Sequence, residues 1–454
     1  MAIHQQDNAV SPPQNVIIVG GSLSGLMHGI MLHRLGSNVR ILERSPTDEL
    51  ASHMAGVCLG TDVQKFLARF DCVREIPLGI ASTQMQSIDK HGKPHPFFTV
   101  NRLNTSWDAL YYRLRANFDM RASGYVPSPP ALVPQADESM EAAKERAIYD
   151  VGKQVVSIEQ LETGQLMVRY KDQTNGGKDG QAVADLVLGA DGSKSIVRTT
   201  FARPGQAERK CAGYVAWRGT VPEERLSEAT RKVFSENTSY LLLKNGDAEG
   251  GHIIVYNIPG KDGSTQPGQR LVSLCWYTNV TDSSLDRIMT DADGKRRRTH
   301  VPPGKIAFAV WEKQKAYART AFAPPFLEVV EKITSPFVLL ITDYYCPRAS
   351  FAGGKVLLVG DSATLLRPHL AFSTNQAAYH ALLTEKLATG QLTAAEWEYQ
   401  VTKAAYLHWT RSLWFGQYLQ RPLYVSIWSA VLFWAAAALA RVRVWAGWLP
   451  RQAR

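Results

Sequence analysis

Apolar and polar positions along the first 45 residues follow a strand–helix–strand pattern. The run Val16-Ile17-Ile18-Val19 has the length of a buried strand, and it ends at Gly20-Gly21. Apolar side chains then recur at helical spacing from Leu26 to Leu35, and Gly36 follows where a helix commonly ends. A second apolar strand ends at Glu43. This order predicts a βαβ unit with two parallel strands and a helix packed across them.

The middle of the chain shifts from helical spacing to the alternation that is typical of strands. Residues 83–99 predict a hairpin that turns at His91-Gly92, and residues 105–118 predict a helix. Apolar strands predominate from Cys211 to Asp343, and a second strand-to-loop signature follows at residues 354–361. The pattern predicts a strand-rich unit inside a chain that begins and ends as an α/β domain.

Composition indicates an ordinary folded protein with reduced thiols. Of its 454 residues, 45% are hydrophobic and 20% are charged, which is typical of globular chains and sufficient for two or three domains. The five cysteines are odd in number and have no C-x-x-C spacing, which argues against disulfides and against a metal site. The first fourteen residues lack the features of a secretory signal, so we expect a cytoplasmic protein.

Charge and hydrophobicity both change near the carboxyl terminus. After Glu398 the chain has no acidic residue but seven lysines and arginines, which supply most of the net charge of +10. The rest of the chain has no basic patch interleaved with aromatic residues, so nucleic acid is not an expected partner. Residues 423–440 carry no charge, a stretch that just reaches the length of a membrane span. Three alternatives remain for residues 423–445: membrane attachment by a span or an interfacial helix, packing on the protein body, or an oligomer contact.

The loop GGSLSG at residues 20–25 is a candidate dinucleotide site. It matches the pattern G-x-G-x-x-G except that Ser22 replaces the middle glycine, and the serine hydroxyl can itself bond a phosphate at the helix N-terminus. Glu43 follows about 20 residues later, where a carboxylate bonds a ribose hydroxyl and favours FAD or NAD over NADP. The candidate contacts in this unit are Gly20, Gly21, Ser22, Leu23, Ser24, Gly25, Glu43 and Arg44.

Two further strands end with an aspartate beside a glycine. The segment LVLGADGSKSIVR at residues 186–198 contains Asp191 and Gly192, and GKVLLVGDSATLLRP at residues 354–368 contains Gly360 and Asp361. Because α/β sheets bind ligands at the carboxyl ends of their strands, both carboxylates can accept hydrogen bonds from sugar hydroxyls there. The three loops together predict one nucleotide site built from distant parts of the chain.

With these three motifs in this order, the chain resembles the single-component FAD-dependent aromatic monooxygenases, the group of para-hydroxybenzoate hydroxylase and salicylate hydroxylase. The resemblance extends to about residue 420. Within the group the segments AGYVAWRGTVPE, HIIVYNIPG, LCWYTNV and RPHLAFSTNQA are similar to the dihydroxypyridine hydroxylase branch. The resemblance implies FAD as cofactor, NADH or NADPH docking near Asp191, and a flavin C4a-hydroperoxide that hydroxylates an electron-rich aromatic or heteroaromatic substrate.

Other functions stay open at this point. An epoxidase acting on an alkene or an indole is the nearest alternative, because the same flavin chemistry serves both kinds of substrate. Alternatives of another class are a flavin reductase or dehydrogenase that inserts no oxygen, and a nucleotide-binding protein whose main task is interaction.

The chain departs from the family pattern at several positions near the expected flavin. Ala371 and Ser373 stand where the family has two glycines after its G-D motif, although Asn375 stays in register. The flavin-contacting arginine that the family carries before its next helix is replaced by Thr105-Ser106, so Arg113 or Arg115 is the candidate substitute. The further candidate cofactor contacts are Gly56, in the reduced glycine segment Met54-Ala55-Gly56, Arg113, Asp191, Gly192, Gly360, Asp361, Pro368, Ala371 and Asn375.

A phenol-like substrate reacts better after losing its proton, so we expect a base or a positive hydrogen-bond donor beside its hydroxyl. The candidates on the strand-rich unit are Tyr214, Arg218, His252 and Tyr256, and the alternative for each is packing between sheet and helix. His369 is the best-placed histidine, because its segment should pass under the flavin, whereas His28 and His33 are expected to be structural.

The predicted fold is α/β (α+β overall), with a discontinuous Rossmann-like FAD-binding domain, an inserted β-rich substrate domain and a helical carboxyl-terminal extension. The FAD-binding domain takes residues 14–82, 105–204 and 346–400, the substrate domain takes the hairpin 83–104 and residues 205–345, and the extension takes residues 401–454.

Overall fold

The computed structural model describes residues 11–47, 55–136, 138–243 and 251–445. Met54 and the residues after Trp445 lie outside this part of the chain, as do the predictions made for them.

The described residues up to 204 form ten strands and five α-helices. In chain order they are β1 (Asn15–Val19), α1 (Leu23–Arg34), β2 (Asn38–Leu42), β3 (Gly56–Leu59), α2 (Thr61–Phe70), β4 (Ile80–Ile88), β5 (Pro94–Ser106), α3 (Trp107–Asp119), α4 (Met140–Glu145), β6 (Ala147–Asp150), β7 (Lys153–Gln160), β8 (Leu166–Asp172), β9 (Lys178–Ala184), β10 (Leu186–Gly189) and α5 (Ile196–Phe201). The predicted βαβ unit and hairpin are both present.

The remaining described residues form nine strands and seven helices. They are β11 (Lys210–Pro222), α6 (Glu228–Val233), β12 (Thr238–Leu242), β13 (Gly251–Ile258), β14 (Leu271–Asn279), α7 (Asp282–Ile288), β15 (His300–Val301), α8 (Phe308–Ala321), α9 (Pro324–Lys332), β16 (Phe337–Tyr345), β17 (Ser350–Phe351), β18 (Val356–Leu358), β19 (Thr364–Leu365), α10 (Ser373–Ala388), α11 (Ala394–Gln420) and α12 (Leu423–Trp445).

A six-stranded sheet in the order β17-β18-β10-β1-β2-β6 forms the centre of the first half, and all its pairings except β17-β18 are parallel. Val16 and Ile18 of β1 face a core shared with α1, α2, α3 and α10. Ile17 and Val19 face the opposite core, against the three-stranded sheet β7-β8-β9. Burial on both faces explains why β1 is an unbroken apolar run in the sequence.

A second, ten-stranded sheet contains both the central strands and the amino-terminal hairpin, in the order β15-β16-β11-β14-β13-β12-β4-β5-β3 with β19 beside β16. Successive side chains of each strand point to opposite faces of this sheet. Val215 and Trp217 of β11 pack against α8 and α9, whereas Tyr214 and Ala216 lie on the other face. That second face carries the candidate substrate residues.

Helices α6, α7, α8 and α9 are additions to the strands predicted between Cys211 and Asp343. The buried side of α8 includes Gln314 and Ala318 beside Val310 and Trp311, so its apolar stripe is weak in the sequence. Packing of this stripe on the sheet supplies most of the stability of such a helix, and that packing has no local sequence signature.

Helices α11 and α12 form a helical hairpin that turns at Arg421-Pro422. The ring centroids of Trp414 on α11 and Phe433 on α12 are stacked 5.5 Å apart. Among the described residues, no helix combines the length and the apolar character that crossing a bilayer needs. The transmembrane span, one of the alternatives for this segment, therefore receives no support from the structure.

Candidate active site

The three predicted loops meet at the carboxyl ends of β1, β10 and β18. Gly20 has φ +103°, and a Cβ built on it would lie 2.6 Å from the carbonyl oxygen of Ala190 and 2.8 Å from the Asp191 Cα. Gly360 has φ +60°, and a Cβ there would lie 2.7 Å from Ser24 Oγ. The first glycine loop therefore touches both other motifs, at places where only a glycine leaves enough room.

Glu43 holds the glycine loop against the end of β2. Its Oε2 accepts a hydrogen bond from the Gly21 amide at 2.8 Å, and its Oε1 accepts one from the Ser45 amide at 2.8 Å. Each carboxylate oxygen has a further lone pair, so the carboxylate can still accept a ribose hydroxyl. Arg44, the next residue, is exposed.

The structure separates the two candidate arginines of α3. Arg113 is buried and donates to Asp71 at 2.9 Å and to the carbonyls of Val73 and Ile76, which ties α3 to the segment after α2. Arg115 instead lies 3.6 Å from the ring centroid of Tyr149. The Tyr149 hydroxyl donates to the Gly21 carbonyl at 2.9 Å. Arg115 is thus the one of the two that connects to the glycine loop.

Unsatisfied buried acceptors and donors mark the place where the loops meet. Among the described residues, Ser24 Oγ and Asp191 Oδ1 are buried without a hydrogen-bond partner. Asp191 Oδ2 accepts from the Ile196 amide at 2.6 Å and from the Val197 amide at 3.3 Å, which leaves Oδ1 for another group. Ser22, at the N-cap of α1, makes no side-chain capping bond. Buried polar atoms normally have partners, so these residues fit a ligand that brings phosphates and hydroxyls.

Asp361 follows β18 and is partly buried. Burial raises its pKa from 3.8 to about 6, against the opposing effect of a hydrogen bond from Ser373. Burial raises the pKa of Asp191 as well. A buried carboxylate is stabilised by hydroxyl donors, so both groups fit the sugar chain of FAD.

The segment after β19 is predicted to pass under the flavin, and its backbone is unusual. Ala371 adopts left-handed φ/ψ of 51° and 43°, where the family pattern has glycine. Pro368 and Ala371 are exposed, while His369 between them is buried. Asn375 caps α2 instead of pointing to open space, because its Oδ1 accepts from the Asp62 amide at 2.8 Å.

The remaining cofactor candidates have backbone or packing positions. Leu23 and Gly25 are buried in α1, Gly192 begins a 3-10 turn with φ +70°, and Gly56 opens β3 at the edge of the ten-stranded sheet.

The candidate catalytic residues fall into two clusters on the inner face of the ten-stranded sheet. In the first cluster the Tyr214 hydroxyl and His369 Nε2 are 2.7 Å apart, and the His252 and His369 rings have centroids 5.2 Å apart. Tyr277 stacks on His252 at 4.6 Å. All four are buried, and His369 Nδ1 and His252 Nε2 have no partner among the described residues. Two unsatisfied imidazole nitrogens therefore lie within reach of one small polar ligand.

Burial sets the charge of the first cluster. It lowers the pKa of His369 well below 6.5, with help from His252 and Arg367, and lowers that of His252 to about 3. Burial also raises the pKa of Tyr214 above its usual value. Near pH 7 the cluster is therefore neutral, so each imidazole has one nitrogen that donates a hydrogen bond and one that accepts a hydrogen bond.

The second cluster lies four residues further along β11. Arg218 donates to the Gly56 carbonyl at 3.0 Å and to the Tyr256 hydroxyl at 3.4 Å, and its Nε has no partner among the described residues. Four residues of strand correspond to about 13 Å, so one small ring cannot contact both clusters through the same atom. Arg218 is a partly buried positive donor beside Gly56 of β3.

Sequence reasoning missed several residues that build this site. Gln420, at the end of α11, lies 2.8 Å from His252 Nδ1, and Gly416 of the same helix packs on His369 and Tyr214. Arg367 pairs with Asp343 at 2.8 Å, beneath the Tyr214 ring. These contacts join positions more than 20 residues apart without any motif, so pattern reading had no signal for them.

Comparison with known proteins gives a consistent result. A family profile described as FAD binding domain-like matches residues 211–343. The chain is 29% identical to 2,6-dihydroxypyridine 3-monooxygenase of Paenarthrobacter nicotinovorans over 361 residues, which cover 78% of each protein. It is 24% identical to a salicylate hydroxylase of Pseudomonas putida, covering 84% of this chain and 78% of that protein. The solved structure of 2,6-dihydroxypyridine-3-hydroxylase from Arthrobacter nicotinovorans superposes with a TM-score of 0.73 at 25% identity, covering 91% of this chain and 94% of the other.

Proposed function

The chain belongs to the FAD-dependent aromatic monooxygenases, and from this premise we propose that it hydroxylates a small, electron-rich aromatic or heteroaromatic ring that already bears a hydroxyl group. NADPH or NADH and dioxygen are the co-substrates. The substrates named for its relatives, dihydroxypyridine and salicylate, are both rings of this kind.

One observation carries the proposal: three loops with unsatisfied buried polar atoms meet beside a sheet face that carries unsatisfied imidazoles. The first set includes Ser24 Oγ and Asp191 Oδ1, and the second includes His369 Nδ1 and His252 Nε2. A dinucleotide with a redox ring and a hydroxylated aromatic substrate would satisfy the two sets separately.

On the cofactor side the residues bind and orient. The amides at the start of α1 and Ser22 would hold the pyrophosphate, and Glu43 a ribose hydroxyl. Asp361 would accept from a hydroxyl of the ribityl chain, which compensates the cost of burying its charge. When bound, FAD supplies electron transfer from the nicotinamide and activation of dioxygen for transfer of one oxygen atom to the substrate.

On the substrate side the residues handle a proton and exclude water. With its proton on Nε2, neutral His369 donates to the Tyr214 oxygen, and Nδ1 would accept a hydrogen bond from the substrate hydroxyl. That hydrogen bond draws the hydroxyl proton toward nitrogen and makes the ring carbon a better nucleophile. Arg218, always charged, stabilises negative charge that develops near the cofactor half. Tyr277 and the apolar side chains of the same face keep water away.

The direct test measures whether an oxygen atom of dioxygen is incorporated into the product. Purified holoenzyme should be yellow, and with a dihydroxypyridine or salicylate, NAD(P)H and isotopically labelled dioxygen, one labelled atom should appear on the ring. A colourless protein that cannot be reconstituted with FAD would refute the cofactor site. Nicotinamide oxidation that yields an unlabelled product would indicate a reductase, and a labelled epoxide from an alkene or indole would indicate the epoxidase.

A further inference from the structure

The last described helix, α12, buries two serines and exposes most of its large apolar side chains. Its side facing α11 contains Ser426 and Ser429, which are 2% and 9% exposed, together with Phe433, whose ring stacks on Trp414. Its outer side carries large apolar residues: Tyr424 is 75% exposed and Trp428 73%. A helix on the surface of a water-soluble body normally has the opposite arrangement, with its apolar stripe inward. The outer side of α12 is therefore built for contact with something apolar.

The exposed apolar stripe is continuous along the helix. Its members follow helical spacing and are Tyr424, Ile427, Trp428, Val431, Trp434 and Leu439, each more than half exposed. From the first to the last of these the helix rises about 22 Å. Isolated exposed apolar residues are normal, but a stripe of this length marks an interaction surface.

Charge identifies the kind of partner. No acidic residue follows Glu398, and Arg421 and Arg441 bracket the uncharged stretch 423–440, with further basic residues on α11 and after the helix. A protein partner of ordinary composition would not require this complete lack of acids. An anionic lipid surface attracts such a segment, and tryptophans are favoured at the boundary between headgroups and acyl chains.

We propose that the outer face of α12 binds the surface of an anionic phospholipid bilayer and lies in its plane. The helix is attached to the site by α11, whose Gln420 and Gly416 contact His252 and His369. Membrane contact thus places the end of the substrate-side cluster next to the bilayer, where apolar aromatic compounds accumulate. The proposal concerns the surface alone and does not rest on the proposed oxygenation.

The test is flotation of full-length holoenzyme with vesicles of phosphatidylcholine alone and of an equal mixture of phosphatidylcholine and phosphatidylserine. We expect binding to the mixed vesicles at least about tenfold tighter, and weaker at high salt. The double variant Trp428→Ser/Trp434→Ser should bind the mixed vesicles about tenfold or more weakly. The reason is that it lacks the two exposed indole rings that would become buried at the lipid boundary. Bound flavin and the far-ultraviolet spectrum report that the variant is folded.

The matched control is Phe308→Ser/Leu242→Ser, which removes side chains that are 80% and 59% exposed on the substrate domain. This control should bind vesicles like the original protein. Three results overturn the proposal: no binding to either vesicle, equal binding by the tryptophan variant, or equal loss in both double variants. A fourth is a lipid-free dimer that the tryptophan substitutions convert to monomer without any vesicle binding, which would assign the stripe to a second copy of the chain.

Discussion

The cofactor half and the substrate half of this site are built by different means. On the cofactor side, glycine backbone comes close to other loops: Gly20 leaves no space beside the Ala190 backbone, and Gly360 leaves none beside the Ser24 side chain. On the substrate side, side chains meet across a sheet face, as Tyr214 and His369 do at 2.7 Å. Backbone contacts restrict residue type at the position itself, whereas side-chain contacts restrict only pairs of residues.

This difference determines how each half tolerates change. A side chain added at a cofactor loop must move the backbone or a side chain of another loop, so the effect spreads to the ligand contacts there. A polar atom removed from the substrate face leaves the sheet in place and changes only one hydrogen bond. Variants at the first half should therefore lose FAD, and variants at the second should keep FAD and lose rate.

The largest expected effect comes from Gly360→Ala. The new Cβ would lie 2.7 Å from Ser24 Oγ, and the residue would keep a left-handed φ of +60°. Crowding and backbone strain together should cost about 3 kcal/mol of FAD binding, or roughly a hundredfold in Kd. Fluorescence titration of apoprotein with FAD measures this.

Gly176→Ala separates crowding from strain. Gly176 has φ +64°, but nothing lies within 4 Å of a Cβ built there. It should lose about 1 kcal/mol of stability and bind FAD normally. If both variants bind FAD equally well, close approach of the loops is not what makes the cofactor half sensitive.

Asp361→Asn should weaken FAD binding but stabilise the apoprotein. The amide keeps the shape but loses the charge, so FAD affinity should fall about tenfold or more, as expected for one charge-assisted hydrogen bond. The apoprotein should become more stable near pH 7, because a buried charge is removed.

The pH dependence of apoprotein stability tests the sign of the effect on stability. The pKa of Asp361 is about 6 in the folded chain against 3.8 unfolded, so between pH 4 and 6 the unfolded chain releases a proton that the folded chain retains. Rising pH therefore lowers apoprotein stability across that window, by about 3 kcal/mol in total. Asp361→Asn should remove this slope in urea unfolding of the apoprotein. An unchanged slope would mean that Asp361 is solvated or paired in solution.

Tyr214→Phe tests the substrate half. The hydroxyl that contacts His369 is lost while the buried ring remains, so we expect full FAD content and turnover about a hundredfold slower. The measurement is kcat, with the absorbance of bound flavin as the check on the cofactor half. Tyr170→Phe is the control, since it also removes a buried tyrosine hydroxyl, 3.3 Å from Arg40 and remote from the substrate sheet. Equal loss of colour and rate in Tyr214→Phe would remove the distinction between the halves.

The same difference explains what could be predicted from the sequence. Gly20, Gly360, Asp191 and Asp361 follow apolar strands at fixed spacing, so both the parallel sheet and the meeting of the loops were predictable. The hydrogen bond between His252 and Gln420 was not predictable, because it depends on how α11 lies across β13. The two residues are 168 positions apart in the chain. The two arginines of α3 illustrate the limit of prediction. The helix was correctly predicted, but the sequence did not indicate which arginine faces the glycine loop; the rotation of the helix places Arg115 there and Arg113 elsewhere.

The smallest expected effect belongs to Ala371→Gly, at the boundary between the halves. Ala371 has φ 51° and ψ 43°, a left-handed conformation in which an L side chain costs roughly 1 kcal/mol, and the exposed methyl group gains little packing in return. Glycine relieves that strain but increases the entropy of the unfolded chain by a similar amount, so the net gain in stability should lie between zero and about 1 kcal/mol. Thermal unfolding of the apoprotein measures it, with Ala352→Gly, at φ 50°, as a matched control outside the loop. If Ala371→Gly instead lowers FAD affinity or turnover while Ala352→Gly changes neither, the alanine methyl contacts the bound flavin or substrate, and this segment belongs functionally to the cofactor half.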